Sequence, residues 1–138
     1  MSKYHDFVTS RLQAGSLAAL DAAGITRDFI TIVRVPGSFE LPPAARQAAA
    51  SGRYDAVVCL GCLIKGETPH FEIIASAVAH GLTTAAAATG VPISFGVLTT
   101  NSIEEALARA GEGQDNKGWE AATAAVDLAT VIAQLRKP

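Results

Sequence analysis

Three short stretches of this chain are apolar almost throughout: FITIVRV at residues 29–35, AVVCLGCLI at 56–64 and VPISFGVLT at 91–99. Apolarity without alternation, over so few residues, predicts strands covered on both faces, as in a parallel sheet. Helical stretches surround them. The first runs from about Asp6 to Ala23 and stops at Gly24. The second starts near FELPPAAR, where Pro42 and Pro43 fit only a first turn, and stops at Gly52. The third begins after Thr68, with Thr68 as cap and Pro69 as first helical residue, and ends before Gly90. The fourth, SIEEALARAG, carries a capping box at Ser102 and Glu105. The fifth, KGWEAATAAVDLATVIAQLRK, closes the chain with Asp115 or Asn116 as cap. The order is a helix, three βα units and a helix, which predicts a βαβ architecture around a parallel sheet. The first helix lacks the strand that should precede it. If that strand is central, its loss leaves a gap of two strand spacings, about 9–10 Å.

Composition narrows the class. The 138 residues make one domain, with a net charge of −2 and no basic cluster. That argues against a nucleic-acid surface and a polybasic membrane patch. No apolar run reaches the length of a membrane span and MSKYHDFV is not a signal peptide, so the expected location is cytoplasmic. Cys59 and Cys62 form one C-x-x-C inside a strand. A structural zinc needs a second ligand pair, and a redox pair normally opens a helix, so both read as small buried residues.

Ligands of open α/β sheets bind beyond the carboxyl ends of the strands, and three polar loops leave that edge. In VPGSFE, Ser38 can cap the next helix, and Glu40 is either a partner of the helix dipole or a ligand contact. In KGETPH, free amides at a helix start form an anion seat, and Gly66 lets a ligand approach closely. His70 lies in that first turn, where the helix end favours a neutral imidazole suited to proton transfer. A structural loop histidine is the alternative. Phe95 reads as core and Arg109 as a cation at a negative helix end. Lys117 sits at the wrong end of its helix for the dipole, which nearby acids or an incoming anion would explain.

Taken together, VPGSFELP, LGCLIKGETPHFEIIA and RAGEGQDNKGWEAA resemble the 6,7-dimethyl-8-ribityllumazine synthases, at the family's order and spacing, from Tyr4 onward. The resemblance implies a flavodoxin-like parallel sheet flanked by helices, in strand order 2-1-3-4, with the first strand missing here and a natural chain longer at its N-terminus. It implies a transferase that condenses 5-amino-6-(ribitylamino)uracil with 3,4-dihydroxy-2-butanone 4-phosphate, without metal or organic cofactor. His70 matches the catalytic histidine. Glu67 and Thr68 match the phosphate turn, with Arg109 from the adjacent subunit and Lys117 nearby. Ser38, Phe39 and Glu40 match the ribityl-binding segment. Cys62, Leu63 and Ile64 match the strand end that reads the pyrimidine. Phe95 matches an aromatic from the neighbouring subunit, and Tyr4 the aromatic that stacks on the ring. The implied assembly is a homo-oligomer, a pentamer or an icosahedral shell able to enclose riboflavin synthase.

The chain departs from the family pattern at Tyr4, where phenylalanine or tryptophan is usual, at His5 in place of asparagine, and at Lys65 in place of arginine. A catalytically silent shell-forming or flavin-binding protein on the same fold is the competing reading. A pure scaffold, however, has no use for phosphate-directed and proton-transfer residues together. A flavodoxin-like signalling domain would need an acidic metal pocket or a flavin-phosphate loop, and neither is visible.

Overall fold

A computed structural model describes all 138 residues. Helix α1 spans Asp6–Ala22, and α2 spans Leu41–Ala50 after a single 3-10 turn at Ser38–Glu40. Then come β1 at Val57–Ile64, α3 at His70–Thr89, β2 at Ile93–Thr100, α4 at Ile103–Ala108 and α5 at Lys117–Leu135. The architecture is a parallel sheet between helical layers, as expected for a flavodoxin-like α/β domain.

The apolar runs are explained by two cores, one on each face. Leu60 and Cys62 of β1 and Leu98 of β2 pack with Met1, Val8 and Leu12 on the α1 side. Cys59 and Val97 point the other way, to Leu41, Ala45, Val78 and Leu82 of α2 and α3. Successive strand residues feed opposite cores, so neither face can be polar. Full burial of Val8, Leu12 or Val78 contributes about 1.5–3 kcal/mol each. Between α1 and α5 the approach is close enough that a Cβ on Gly118 would overlap the Leu12 carbonyl.

Only two strands form a ladder, β1 and β2. The expected strand at residues 29–35 is not one. The N–H groups of Thr31, Ile32, Val33 and Arg34 meet no acceptor in the chain. Its β propensity finds no neighbour until Val35, which bridges Ser2. The first-strand position is not empty either. Ser2 N–H donates to the Leu60 carbonyl at 2.9 Å, and Lys3 N–H to the Val35 carbonyl at 2.8 Å. The Met1 ammonium donates to the Val33 carbonyl at 2.7 Å. Residues 1–3 therefore lie between Val35 and β1 and deliver Tyr4 to the carboxyl edge of the sheet.

Helix α3 corrects another expectation. Its 20 residues are, by length and composition, long and apolar enough to cross a membrane. In this fold one side of α3 packs on α2 and the strands, with Gly81 so close to Pro42 that a Cβ there would come within 2.7 Å. Only Val78, Leu82 and Ala85 are buried along its length, which leaves the outer face apolar and open.

His5, at the cap of α1, has φ 58° and ψ 46°. This left-handed conformation favours glycine and asparagine and tolerates histidine. That conformational demand accounts for histidine standing where the family pattern has asparagine. Burial also lowers the His5 pKa, so the unfolded chain takes up this proton first as pH falls. The contribution of His5 to stability is complete above about pH 6.5 and erodes below it. His5→Asn is expected to keep the fold and lessen that acid sensitivity, whereas His5→Val should cost about 1–2 kcal/mol. Urea denaturation at pH 5 and pH 7.5 measures both; a valine variant as stable as the parent would contradict the strain argument.

Candidate active site

β1 and β2 pair in strict register, from Val57 opposite Ile93 to Ile64 opposite Thr100. Lys65 N–H then donates to the Thr100 carbonyl at 2.8 Å. Both strands thus leave the sheet at one level, and their exit loops share an edge. After β1 the helix starts at His70, one residue later than the sequence predicts. Thr68 Oγ1 accepts from His70 N–H at a long 3.4 Å, and Pro69 supplies the carbonyls for the first turn. The amides of Gly66, Glu67, Thr68 and Phe71 donate to nothing in the chain. Around Gly66, a Cβ would meet no atom within 4 Å. Four free donors at the positive end of a 20-residue helix make a seat for an anion. The His70 side chain is exposed beside it and makes no hydrogen bond.

The turn after Val35 reaches the same edge. Tyr4 N–H donates to the Pro36 carbonyl at 3.2 Å, and the Tyr4 side chain is 67% exposed. The Tyr4 ring meets the His5 ring edge-on at 4.5 Å, leaving a broad π-face free. Ser38 does not cap a helix, contrary to expectation. It turns inward, 4% exposed, onto Gly61, where a Cβ would come within 2.6 Å of its Oγ. That Oγ has no hydrogen-bond partner. Phe39 and Glu40 face outward, where they line a cleft of about 340 Å³ with Pro42, Pro43 and Ala77. Cys62 is sealed at the end of β1, while Leu63 and Ile64 are half-buried beside the exit loop.

The cationic pair is built differently. Ser102 Oγ accepts from Glu105 N–H at 3.1 Å, and the Glu105 carboxylate accepts from Asn101 N–H at 2.8 Å, so the capping box starts α4 as predicted. Arg109 closes α4, exposed and without an ionic partner. Asn116, not Asp115, caps α5. Lys117 N–H donates to the Arg109 carbonyl at 2.9 Å, which ties the two cationic residues together. Lys117 Nζ reaches only Glu120, at 4.0 Å. Within one chain, no hydrogen bond or ion pair joins this pair to His70 or residues 65–69. Phe95 is also apart. It pairs with Cys59, five positions before the strand exit, about 16 Å along β2, and is 36% exposed.

The chain matches the 6,7-dimethyl-8-ribityllumazine synthase family over residues 1–133. It belongs to that family. Among curated proteins, the 6,7-dimethyl-8-ribityllumazine synthase of Syntrophus aciditrophicus (strain SB) is 47% identical over 135 residues, covering 98% of this chain and 88% of the relative. The lumazine synthase reading of the sequence stands, and the silent-scaffold alternative is not favoured. Two features of this edge escaped sequence reasoning. Residues 1–3 carry no strand signature, yet they place Tyr4. Asn116 shows only as a cap, because its partners on Arg11 and Gly111 are distant in sequence or off the capping pattern.

The thiols take no visible part. Burial pushes Cys59 up to about 12 and Cys62 up to about 11. Native protein at pH 8 should therefore resist a thiol reagent such as DTNB, and urea should release two equivalents. Fast labelling of folded protein would show that the strand end is open to solvent.

Proposed function

We propose that this chain condenses 5-amino-6-(ribitylamino)uracil with 3,4-dihydroxy-2-butanone 4-phosphate to give 6,7-dimethyl-8-ribityllumazine, a transferase reaction of riboflavin biosynthesis. The observation that carries the proposal is the set of four unpartnered amides around the start of α3, with an exposed imidazole in the same turn. The amides hold the phosphate of the butanone. His70 moves protons as the uracil amine adds to the ketone, as water leaves to form the imine, as phosphate departs, and as the ribitylamino nitrogen adds to the remaining carbonyl and a second water leaves to close the ring. A group beside both the seat and the solvent can give a proton and take one back. Tyr4 offers a face for the pyrimidine, and the ends of β1 offer main-chain groups to its edge. Phe39 and Glu40 meet the ribityl chain, with Ser38 holding their turn against Gly61. Holding two substrates in reacting geometry can supply about 7–11 kcal/mol of the barrier, which is why so few catalytic groups are needed.

The pocket is completed by a second copy of the chain. Within one chain Arg109 makes no bond to His70 and Phe95 lies five residues before the strand exit; the neighbour supplies both. The apolar surface supports this assembly. Ile73 is 63% and Leu135 78% exposed, and α3 leaves most of its apolar length open. We read the assembly as a cytoplasmic homo-oligomer, either a pentamer or an icosahedral shell of pentamers able to hold riboflavin synthase.

Two variants separate the roles. His70→Ala should lower kcat by about 10²-fold with little change in either KM, the low end for acid–base catalysis because positioning remains. Arg109→Ala should raise KM for the butanone phosphate by about 10–100-fold, as a lost charge-assisted hydrogen bond would. Steady-state kinetics at the lumazine absorbance band reads both. An arginine variant with unchanged KM for the phosphate substrate would refute the clamp.

A further inference from the structure

We infer that Asn116 is a positioning residue for phosphate binding, and that its side-chain amide, rather than its capping oxygen, performs this role. The inference rests on the reading of Arg109 and Lys117 as phosphate-directed cations.

Asn116 is 3% exposed, and its carboxamide is fully used. Oδ1 accepts from Gly118 N–H at 2.7 Å and Trp119 N–H at 3.2 Å, which caps α5. Nδ2 donates to the Gly111 carbonyl at 2.7 Å and to the Arg11 carbonyl at 3.2 Å. A cap needs only the oxygen, and serine or aspartate would serve as well. The two amide donors lie outside capping. One fastens the loop that joins Arg109 to Lys117, and the other fastens that loop to α1.

The surroundings are shaped for this group. A Cβ on Gly15 of α1 would overlap the Asn116 carboxamide, and one on Gly118 would approach Oδ1 at 2.9 Å. The loop is therefore closed twice, by Lys117 N–H on the Arg109 carbonyl at 2.9 Å and by Nδ2 on Gly111. Meanwhile Arg109 has no ionic partner, and Lys117 has only Glu120 at 4.0 Å. Two loosely engaged cations rise from a rigidly held backbone. Fixing the backbone in advance spares an arriving anion the cost of ordering it. Releasing Nδ2 frees residues 110–115 while the helix keeps its cap.

The probe is inorganic phosphate, titrated calorimetrically into the full chain in its native assembly. Asn116→Ser keeps a capping oxygen and removes both amide donors. With far-UV circular dichroism unchanged, it should bind phosphate about tenfold more weakly. Its KM for the butanone phosphate should rise by a similar factor, with KM for the aminouracil within twofold of the parent. In an Arg109→Ala background the same substitution should add little, because both act on one interaction. Asn116→Thr, which keeps a capping oxygen and adds no charge, takes its place should the serine variant fail to fold. A folded variant with phosphate affinity within twofold of the parent would overturn the inference, as would fully additive losses with Arg109→Ala. If the parent binds phosphate with this dependence yet forms no lumazine, the proposed function fails and the inference stands. If the parent binds no phosphate, the clamp and the inference fall together.

Discussion

The whole site depends on the ladder between β1 and β2. Its register brings Ile64 level with Thr100, and the Lys65–Thr100 hydrogen bond carries the pairing one residue past the strand. A parallel pair whose strands finish together must start its two following helices on the same edge. The free amides of Gly66, Glu67 and Thr68 and the capping box of α4 are both consequences of that level finish. A slip of β1 by one residue would turn Leu60 and Cys62 toward α2 and α3 while Leu98 of β2 stayed on the α1 side. The cores that specify the fold therefore also specify where the anion seat opens.

Much of this was legible in the sequence, and the reasons differ by element. β1 and β2 declared themselves because strands fed by two cores cannot alternate. The limits of α3 were readable to within a residue, since Pro69 fixes its start and Gly90, at φ 72°, its end. Residues 29–35 misled because β propensity records fitness for a sheet and says nothing about whether a neighbour is present. Ser38 misled for a related reason. Capping and burial ask for the same small polar residue, and only the nearness of Gly61 decides between them.

The electrostatic design relies on main chain more than on charge. The anion seat consists of amide groups, and no hydrogen bond or ion pair ties Arg109 or Lys117 to it within one chain. Such a division lets a single protomer fold without a buried charge, whose desolvation would cost several kcal/mol. Arg109 joins the seat only when subunits meet, as the proposed assembly requires. Under the proposed assembly, the open apolar face of α3 and the place of Phe95 five residues before the strand exit have one reading: each chain supplies part of a site, and exposed hydrophobic surface joins the parts.

The contact of α1 with α5 carries a consequence for how this sequence can vary. Gly15, Asn116 and Gly118 occupy one tightly closed notch, so each restricts the others. A bulkier residue at position 15 is admissible only alongside a smaller one at 116, and none is admissible at 118 while α5 stays packed on the Leu12 carbonyl of α1. The three positions should drift together or not at all, a linkage invisible along the chain because a hundred residues separate its ends.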